Sequence, residues 1–300
     1  MAIFTGSGVA LVTPFHEDYS INYEALERLL EFQIANGTDA IIVCGTTGEA
    51  STMTEEERIS VISFVVHKVA GRIPVIAGTG ANCTQSVVEF SKKVEKLGVN
   101  GLLVVTPYYN KATQGGLYAH YAAVAAAVQL PILMYNVPSR TGCNLLPETA
   151  VKIAMDFPNV VGMKEASGNL AQVTELARLA KGRLDIYSGC DDVIVPVLSV
   201  GGKGVISVLA NIAPRATHDM VMDYLKGDVQ KAADAQLEYF DLIKALFCEV
   251  NPIPVKAALN MMGYQAGNLR LPLTVLEEAH ISPLRKIMTE LGLVKPELFE

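Results

Sequence analysis

The chain has 300 residues, half of them hydrophobic, which is enough for one large enzyme domain or for two smaller ones. Its formal net charge of −7, with no basic stretch or aromatic-interleaved patch, argues against a nucleic-acid partner. The five cysteines are widely spaced and never form a C-x-x-C pair, which is typical of free thiols in a reducing compartment. We therefore expect a cytoplasmic protein.

The N-terminal region contains no basic segment followed by a long apolar core, so a secretion signal is not expected. The longest weakly charged stretch, residues 118–134, is interrupted by polar residues and proline. It falls short of the ~20 apolar residues that a membrane span requires. We expect no membrane association.

Short apolar runs recur along the first two thirds of the chain, separated by segments of helical periodicity. The runs are continuous rather than alternating, as in strands that are buried on both faces of a parallel sheet. Eight such runs with helices between them predict an α/β fold, a (β/α)8 TIM barrel. The predicted strands are residues 8–12, 40–44, 75–78, 101–106, 132–136, 160–164, 185–189 and 204–207.

Capping residues mark several helix starts: Thr54 precedes three glutamates, and Asn169 precedes an apolar-periodic run. From residue 211 onward the strand period is lost, and the chain has the pattern of successive helices punctuated by proline and glycine. We predict a catalytic barrel of residues 1–225 and an all-helical C-terminal appendage of residues 226–300. We expect this appendage to pack on the barrel or on a neighbouring subunit.

Lys164 closes the sixth predicted strand, and Tyr135 lies near the end of the fifth. An ammonium group at the end of an apolar strand is costly to desolvate, which favours the neutral amine that attacks carbonyl groups. A phenol on the neighbouring strand could carry protons for such a reaction. Taken alone, a lysine that reaches solvent and a tyrosine that fills the core would be the more common explanation.

Other polar residues favour a functional role for this pair. In an eight-stranded parallel barrel, catalytic groups gather at the C-terminal ends of the strands. Hydroxyl groups, a lysine and loop backbone at that end indicate a site that handles a carbonyl compound. The residues at these strand ends are Thr46, Thr47, Tyr108, Tyr109, Tyr135, Asn136, Lys164, Glu165, Gly189, Ile206 and Ser207.

Several motifs in the chain are shared with a known family. GTTGE at residues 45–49, YNVPSRTG at 135–142 and GMKE at 162–165 resemble the dihydrodipicolinate synthases, which belong to the pyruvate-dependent class I aldolases and lyases. PYYN at 107–110 and GVIS at 204–207 fit the same pattern. The motifs occur in matching order along most of the chain, and together they are far more specific than any one alone.

The resemblance implies a mechanism in which Lys164 forms a Schiff base with pyruvate, and the resulting enamine adds to an aldehyde. Tyr135 would be the general acid and base, linked through the Thr47 hydroxyl to Tyr109. Thr46 and Thr47 would hold the pyruvate carboxylate. Gly189 and Ile206, at the ends of the seventh and eighth strands, would complete the substrate site.

Arg140 narrows the choice of second substrate. Its planar guanidinium suits bidentate binding of a second carboxylate, such as that of aspartate semialdehyde, whereas sialic-acid lyases have no arginine at the matching place. We therefore expect synthesis of 4-hydroxy-tetrahydrodipicolinate, in lysine and diaminopimelate biosynthesis. The alternatives are an aldolase of the same type that acts on a sugar acid, and a non-catalytic relative that binds a keto acid.

No metal and no cofactor is expected, because the five histidines are scattered without ligand-like spacing and the lysine makes a metal unnecessary. In the resembling family, the tyrosine that corresponds to Tyr109 reaches across a dimer interface. We therefore expect a homodimer, and a homotetramer built as a dimer of dimers. Glu55, Arg58 and Ser86 depart from the pattern of lysine-inhibited relatives, which predicts weak or absent feedback inhibition by lysine.

Overall fold

The structure, a computed structural model, describes residues 2–295. Within this range eight parallel strands form one closed barrel, in which each strand pairs with the next and the last pairs with the first. The predicted TIM barrel is confirmed. Its strands are β1 (Gly6–Ala10), β2 (Ala40–Val43), β3 (Val75–Gly78), β4 (Gly101–Val105), β5 (Ile132–Asn136), β6 (Val160–Glu165), β7 (Asp185–Ser188) and β8 (Gly204–Ser207).

The bounds predicted for the first strand were wrong by two residues at each end. β8 is short, and its last pairing with β1 joins Ser207 to Val9. Beyond that point the backbone N–H of Val12 donates to the side-chain oxygen of Asn211 at 3.1 Å instead of to a strand. The other predicted strands agree with the structure to within one residue at either end.

Helices surround the barrel, and their starts follow the predicted capping chemistry. The Thr54 hydroxyl accepts from the N–H of Glu57, whose side chain accepts from the N–H of Thr54; Asn169 caps its helix through the N–H of Gln172. The helices of the barrel are α1 (Tyr23–Ala35), α2 (Glu55–Val69), α3 (Thr84–Glu95), α4 (Gln114–Ala127), α5 (Pro138–Thr141), α6 (Pro147–Asp156), α7 (Leu170–Ala180), α8 (Ile194–Ser199) and α9 (Pro214–Lys226).

The C-terminal part is helical, as predicted, and comprises α10 (Val229–Glu238), α11 (Phe240–Ala245), α12 (Ile253–Met261) and α13 (Glu278–Glu290). α10 packs on α8 and α9, while α11 and α12 contact α13. The division into residues 1–225 and 226–300 stays a prediction, and residues 1 and 296–300 lie outside the described part of the chain. No helix within residues 2–295 is both long enough and apolar enough to cross a membrane.

The interior of the barrel is packed at its N-terminal end. Phe4 stacks on Tyr187 with ring centroids 4.4 Å apart, and the Tyr187 hydroxyl donates to the carbonyl of Phe4 at 2.6 Å. This end is filled by side chains, so it leaves no room for a ligand. The buried residues of the inner cluster are Phe4, Ala10, Ala40, Ile42, Ile76, Leu103, Leu133, Tyr135, Val137, Tyr187 and Ile206.

His120 on α4 makes the stability of the fold depend on pH. It is 3% exposed, its Nδ1 lies 2.9 Å from the Thr84 hydroxyl, and its Nε2 has no hydrogen-bond partner among residues 2–295. Burial lowers the pKa of this imidazole from 6.5 to about 4. Between these values the unfolded chain binds the extra proton, so stability is fully present above pH 6.5 and is lost as the pH falls toward 4.

We expect this loss to reach ~3 kcal/mol of the free energy of unfolding. Urea unfolding of the wild type at pH 7.5 and pH 4.5, compared with His120→Asn, measures it: the variant should have the smaller pH dependence. The exposed His67 on α2, changed to asparagine, is the matched control and should leave the wild-type dependence in place. Equal pH dependence in His120→Asn and the wild type would contradict the assignment.

Candidate active site

Lys164 and Tyr135 face each other at the C-terminal end of the barrel. β5 and β6 are neighbours, and the two residues are partners in the register. The Lys164 Nζ lies 4.5 Å from the centroid of the Tyr135 ring. Lys164 is 6% exposed, and its Nζ forms no hydrogen bond or ion pair with any residue in the described range. The amine is therefore not tied to an acceptor and can approach an electrophile.

Gly189, directly after β7, leaves room for this lysine. A Cβ atom at position 189 would lie 2.6 Å from the Ala166 Cβ, which is too close, and 3.0 Å from the Lys164 Cε, which would have to shift. A side chain here would displace the lysine or the loop that follows β6. Glycine at this position therefore lets the Lys164 side chain and the loop after β6 keep their places.

The loop after β2 carries Thr46 and Thr47. Thr47 is buried, and its hydroxyl accepts a hydrogen bond from the Asn251 amide at 2.9 Å. The backbone of the loop forms a tight turn, in which the Glu49 N–H donates to the Thr46 carbonyl at 3.1 Å. Thr46 is exposed at the edge of the turn. The buried threonine is therefore held by a residue from the C-terminal part of the chain.

These side chains line one cavity of about 510 Å³, a size suited to a small metabolite. Residues of the barrel and residues of the helical C-terminal part together form its wall. Most residues predicted for the site are therefore brought together. The predicted residues that line the cavity are Thr46, Thr47, Tyr135, Arg140, Lys164 and Gly189.

Arg140, on α5, lies between two cavities. It lines the main cavity and also a second cavity of about 280 Å³. Its Nη2 donates to the Asn251 carbonyl at 3.1 Å, and the residue is otherwise exposed. The guanidinium therefore has free donors with which it could bind a carboxylate.

Two predicted residues are placed elsewhere. Ile206 is fully buried in the inner cluster of the barrel and does not line the cavity. Tyr109 is 87% exposed, has a left-handed backbone with φ of 76°, and also lies outside the cavity wall. The hydroxyls of Tyr135 and Thr47 share no hydrogen bond. The predicted relay from Tyr135 through Thr47 to Tyr109 is therefore not assembled within one chain.

Asp191 lines the cavity but was not among the predicted site residues. Its Oδ2 accepts from the backbone N–H groups of Val208 and Leu209, at 3.0 and 2.9 Å, and its Oδ1 has no partner within residues 2–295. Burial raises the pKa of this carboxyl group. It lies two residues beyond the predicted seventh strand, at the C-terminal end of the barrel, and this position could have identified it as a site residue.

The C-terminal helices also contribute cavity residues that no sequence pattern indicated. One side of the cavity is formed by Ile243 and Lys244 on α11 and by Phe247 and Asn251, which follow this helix in the chain. These residues follow the last strand by more than thirty positions, and only tertiary packing brings them to the site.

Cys190 is a second potential nucleophile on the cavity wall, where Lys244 also lies. Burial raises the pKa of its thiol to about 12, so the sulfur stays protonated and weakly reactive at neutral pH. Lys164 is therefore the better candidate for covalent chemistry.

One group outside the cavity brings together atoms of the kind that ligate metals. Glu249, Glu277 and His280 place a carboxylate or imidazole atom each within 4.8 Å of the others. Hydrogen bonding accounts for the arrangement, because Glu249 Oε1 lies 2.7 Å from His280 Nδ1 and accepts from the Glu277 N–H at 2.9 Å. None of the three lines the cavity.

Comparison with known proteins agrees with this geometry. A sequence model described as the dihydrodipicolinate synthetase family matches residues 3–291. The chain belongs to this family. A relative from Lachnoclostridium phytofermentans named 4-hydroxy-tetrahydrodipicolinate synthase is 58% identical over 294 residues, which are 98% of this chain and 100% of the relative.

Solved structures of dihydrodipicolinate synthases share the fold. The enzyme from Thermotoga maritima superposes with a TM-score of 0.96 at 46% identity, covering 98% of this chain and 100% of that one. The chloride-inhibited enzyme from Acinetobacter baumannii, solved in complex with pyruvate, gives a TM-score of 0.95 at 44% identity, covering 97% of this chain and 99% of that one.

Proposed function

We propose that this chain is a 4-hydroxy-tetrahydrodipicolinate synthase, a lyase that condenses pyruvate with L-aspartate 4-semialdehyde in lysine and diaminopimelate biosynthesis. The observation that carries the proposal is the buried, unbonded Lys164 amine beside Tyr135 in the cavity at the C-terminal end of the barrel. Full-length similarity to relatives of that name supports the choice of substrates. We place the enzyme in the cytoplasm.

The chemistry begins with attack of the Lys164 amine on the ketone carbon of pyruvate. Loss of water gives an iminium ion, which draws electrons from the adjacent methyl group so that this group can lose a proton. The enamine so formed attacks the aldehyde carbon of the second substrate. The substrate's amino group then displaces the lysine from the imine carbon and closes the ring.

Tyr135 is the group that moves protons in this scheme, because its ring lies against the Lys164 amine. Thr46 and Thr47 hold the pyruvate carboxylate through their hydroxyls and loop N–H groups. Tyr109 is exposed in the single chain, and we propose that it completes the relay in a partner subunit of a homodimer. Two such dimers would form a homotetramer. In this scheme the Ile206 contribution comes from its backbone, since its side chain is buried.

Arg140 is proposed to bind the carboxylate of aspartate semialdehyde. Because this arginine is exposed, solvent screens its charge, and we expect Arg140→Ala to raise the KM for the semialdehyde by about 100-fold rather than more. The rate at which pyruvate forms its imine should stay within about twofold of wild type. Steady-state kinetics with each substrate varied in turn measures both. Arg178→Ala, an exposed arginine paired with Glu175 on α7, is the control. An unchanged KM for the semialdehyde would contradict the role.

Feedback inhibition by lysine is predicted to be weak or absent. Arg58 lines the 280 Å³ cavity, stacks 3.9 Å above the Phe90 ring and donates to the Gly78 carbonyl at 2.9 Å. Glu55 is engaged in an ion pair with Lys93. The positive charge of Arg58 would repel a cationic inhibitor in this cavity. Millimolar lysine should therefore leave the initial rate nearly unchanged. Strong inhibition, with lysine bound in this cavity, would contradict the prediction.

The proposed function is tested by turnover of the purified protein with both substrates, followed as NADPH consumption by added dihydrodipicolinate reductase. A signal that requires pyruvate and the semialdehyde together supports the synthase. Folded protein that gives no signal but forms an imine with pyruvate would instead point to an aldolase for sugar acids. Folded protein that does neither would be a non-catalytic relative.

A further inference from the structure

Glu49 and Lys256 form an ion pair that is completely removed from solvent. Both side chains are 0% exposed, and the Lys256 Nζ lies 2.8 Å from the Glu49 Oε1. Taking two charges out of water costs several kcal/mol per ion, so such a pair is weak evidence for stability alone. Neither residue takes part in the mechanism described above.

Each polar atom of the pair is used. The Lys256 Nζ also donates to the carbonyls of Thr13 and Asn268, at 3.0 and 2.7 Å. The second oxygen of Glu49 accepts from the backbone N–H of Arg270 at 3.0 Å. An ammonium with three acceptors and a carboxylate with two donors have one geometry, so the pair fixes the backbone around it.

That backbone includes the loop that carries the two site threonines. Glu49 is the last residue of the GTTGE motif and has a left-handed conformation, with φ of 54°, which is unfavourable for a residue other than glycine. Thr13, whose carbonyl contacts Lys256, donates its own hydroxyl to the Gly48 carbonyl at 2.7 Å. The loop is therefore held from both sides just after Thr47.

A second contact runs from the C-terminal part to the same loop. Asn251, five residues before Lys256, is 5% exposed and donates from its amide to the Thr47 hydroxyl at 2.9 Å. Asn251 and Lys256 thus contact two positions of one loop, Thr47 and Glu49. Both contacts join residues more than 200 positions apart in the chain.

We propose that Glu49, Lys256 and Asn251 are positioning residues, which hold the Thr46–Thr47 loop in the geometry that receives the carboxylate of the keto acid. The helical C-terminal part is then a component of the active site and not only a packing element. This inference rests on the proposed function, since it concerns how that site binds pyruvate.

Variants of the ion pair separate positioning from stability. Glu49→Gln and Lys256→Met each leave one buried charge without its partner and should lower the melting temperature. The double variant Glu49→Gln/Lys256→Met removes both charges together and should recover much of that loss. It still lacks the ammonium that bound Thr13 and Asn268, so the loop should remain poorly placed in a folded protein.

The expected result for the folded double variant is a 10- to 100-fold loss of kcat/KM for pyruvate, with the KM for the semialdehyde within about twofold of wild type. The matched control is Glu27→Gln/Lys68→Met, a solvent-accessible pair that also joins a glutamate to a lysine, and it should be indistinguishable from wild type. A folded double variant with wild-type kcat/KM for pyruvate would overturn the proposal.

Asn251→Ala provides a second test that leaves the ion pair intact, should the ion-pair variants not fold. It should remain folded and lose kcat/KM for pyruvate selectively; wild-type kinetics in this variant would also overturn the proposal. The wild type is assayed in parallel. A wild type without synthase turnover would refute the proposed function, whereas an active wild type with unaffected variants would refute only the positioning role.

Discussion

Lys164→Ala is expected to lose at least about 10⁴-fold in kcat/KM, because the covalent route through the imine then has no nucleophile. Within residues 2–295 the cavity wall offers no adequate substitute. Cys190 is held as a protonated thiol, and Lys244 lies on the exposed side of α11. The coupled assay at saturating semialdehyde measures the loss.

The control for this prediction is Lys152→Met. Lys152 is an exposed lysine on α6 that pairs with Asp156, and its removal should leave kcat/KM unchanged. Circular dichroism should show that both variants are folded. Substantial residual activity in Lys164→Ala would mean that the condensation does not pass through a lysine imine.

Tyr135→Phe is expected to lower kcat by about 10²- to 10⁴-fold, the usual contribution of a positioned acid or base. The ring packs in the inner cluster and lies against the Lys164 amine, and phenylalanine preserves both contacts. Only the hydroxyl is lost, so the variant should fold normally and form the pyruvate imine slowly. Stopped-flow measurement of imine formation, with kcat from the coupled assay, gives both effects.

A second buried tyrosine provides the comparison. The Tyr121 hydroxyl donates to the Val104 carbonyl at 2.9 Å outside the cavity. Tyr121→Phe should cost about 1 kcal/mol of stability and leave kcat unchanged. Equal kcat values for Tyr135→Phe and wild type would exclude Tyr135 as the proton carrier.

The arrangement of the barrel could be predicted because its signals are local. Each strand is a continuous apolar run, and the polar residues that follow it must lie at the same end of a parallel barrel. Lys164 and Tyr135 were found in this way. The predicted bounds of the first strand were wrong because contacts distant in sequence set its end. Pairing of β1 with β8 stops at Ser207, and the N–H of Val12 then donates to the side chain of Asn211.

The rest of the site depends on contacts that are distant in sequence. Asn251 and Lys256 reach the loop after β2 from more than 200 residues away, and no periodicity or motif marks them. Ile206 shows the opposite case: it lies at a strand end, but its side chain points into the packed interior. A residue's place along a strand predicts the end of the barrel at which it lies, but not whether its side chain faces the cavity.

Tyr109 shows a further limit of a single chain. The family resemblance assigns it to a relay, yet in one subunit it is 87% exposed, and its backbone N–H donates to the Thr141 carbonyl at 3.1 Å. In the proposed mechanism, Tyr109 therefore acts from a partner subunit of the proposed dimer.

The most direct test of this account is to trap the covalent intermediate. The purified wild type is incubated with pyruvate, reduced with sodium borohydride and digested, and the modified peptide is identified by mass spectrometry. We predict one reduced pyruvate per chain, attached to Lys164 and absent when pyruvate is omitted. An unmodified Lys164, or an adduct on another lysine, would contradict the proposed mechanism.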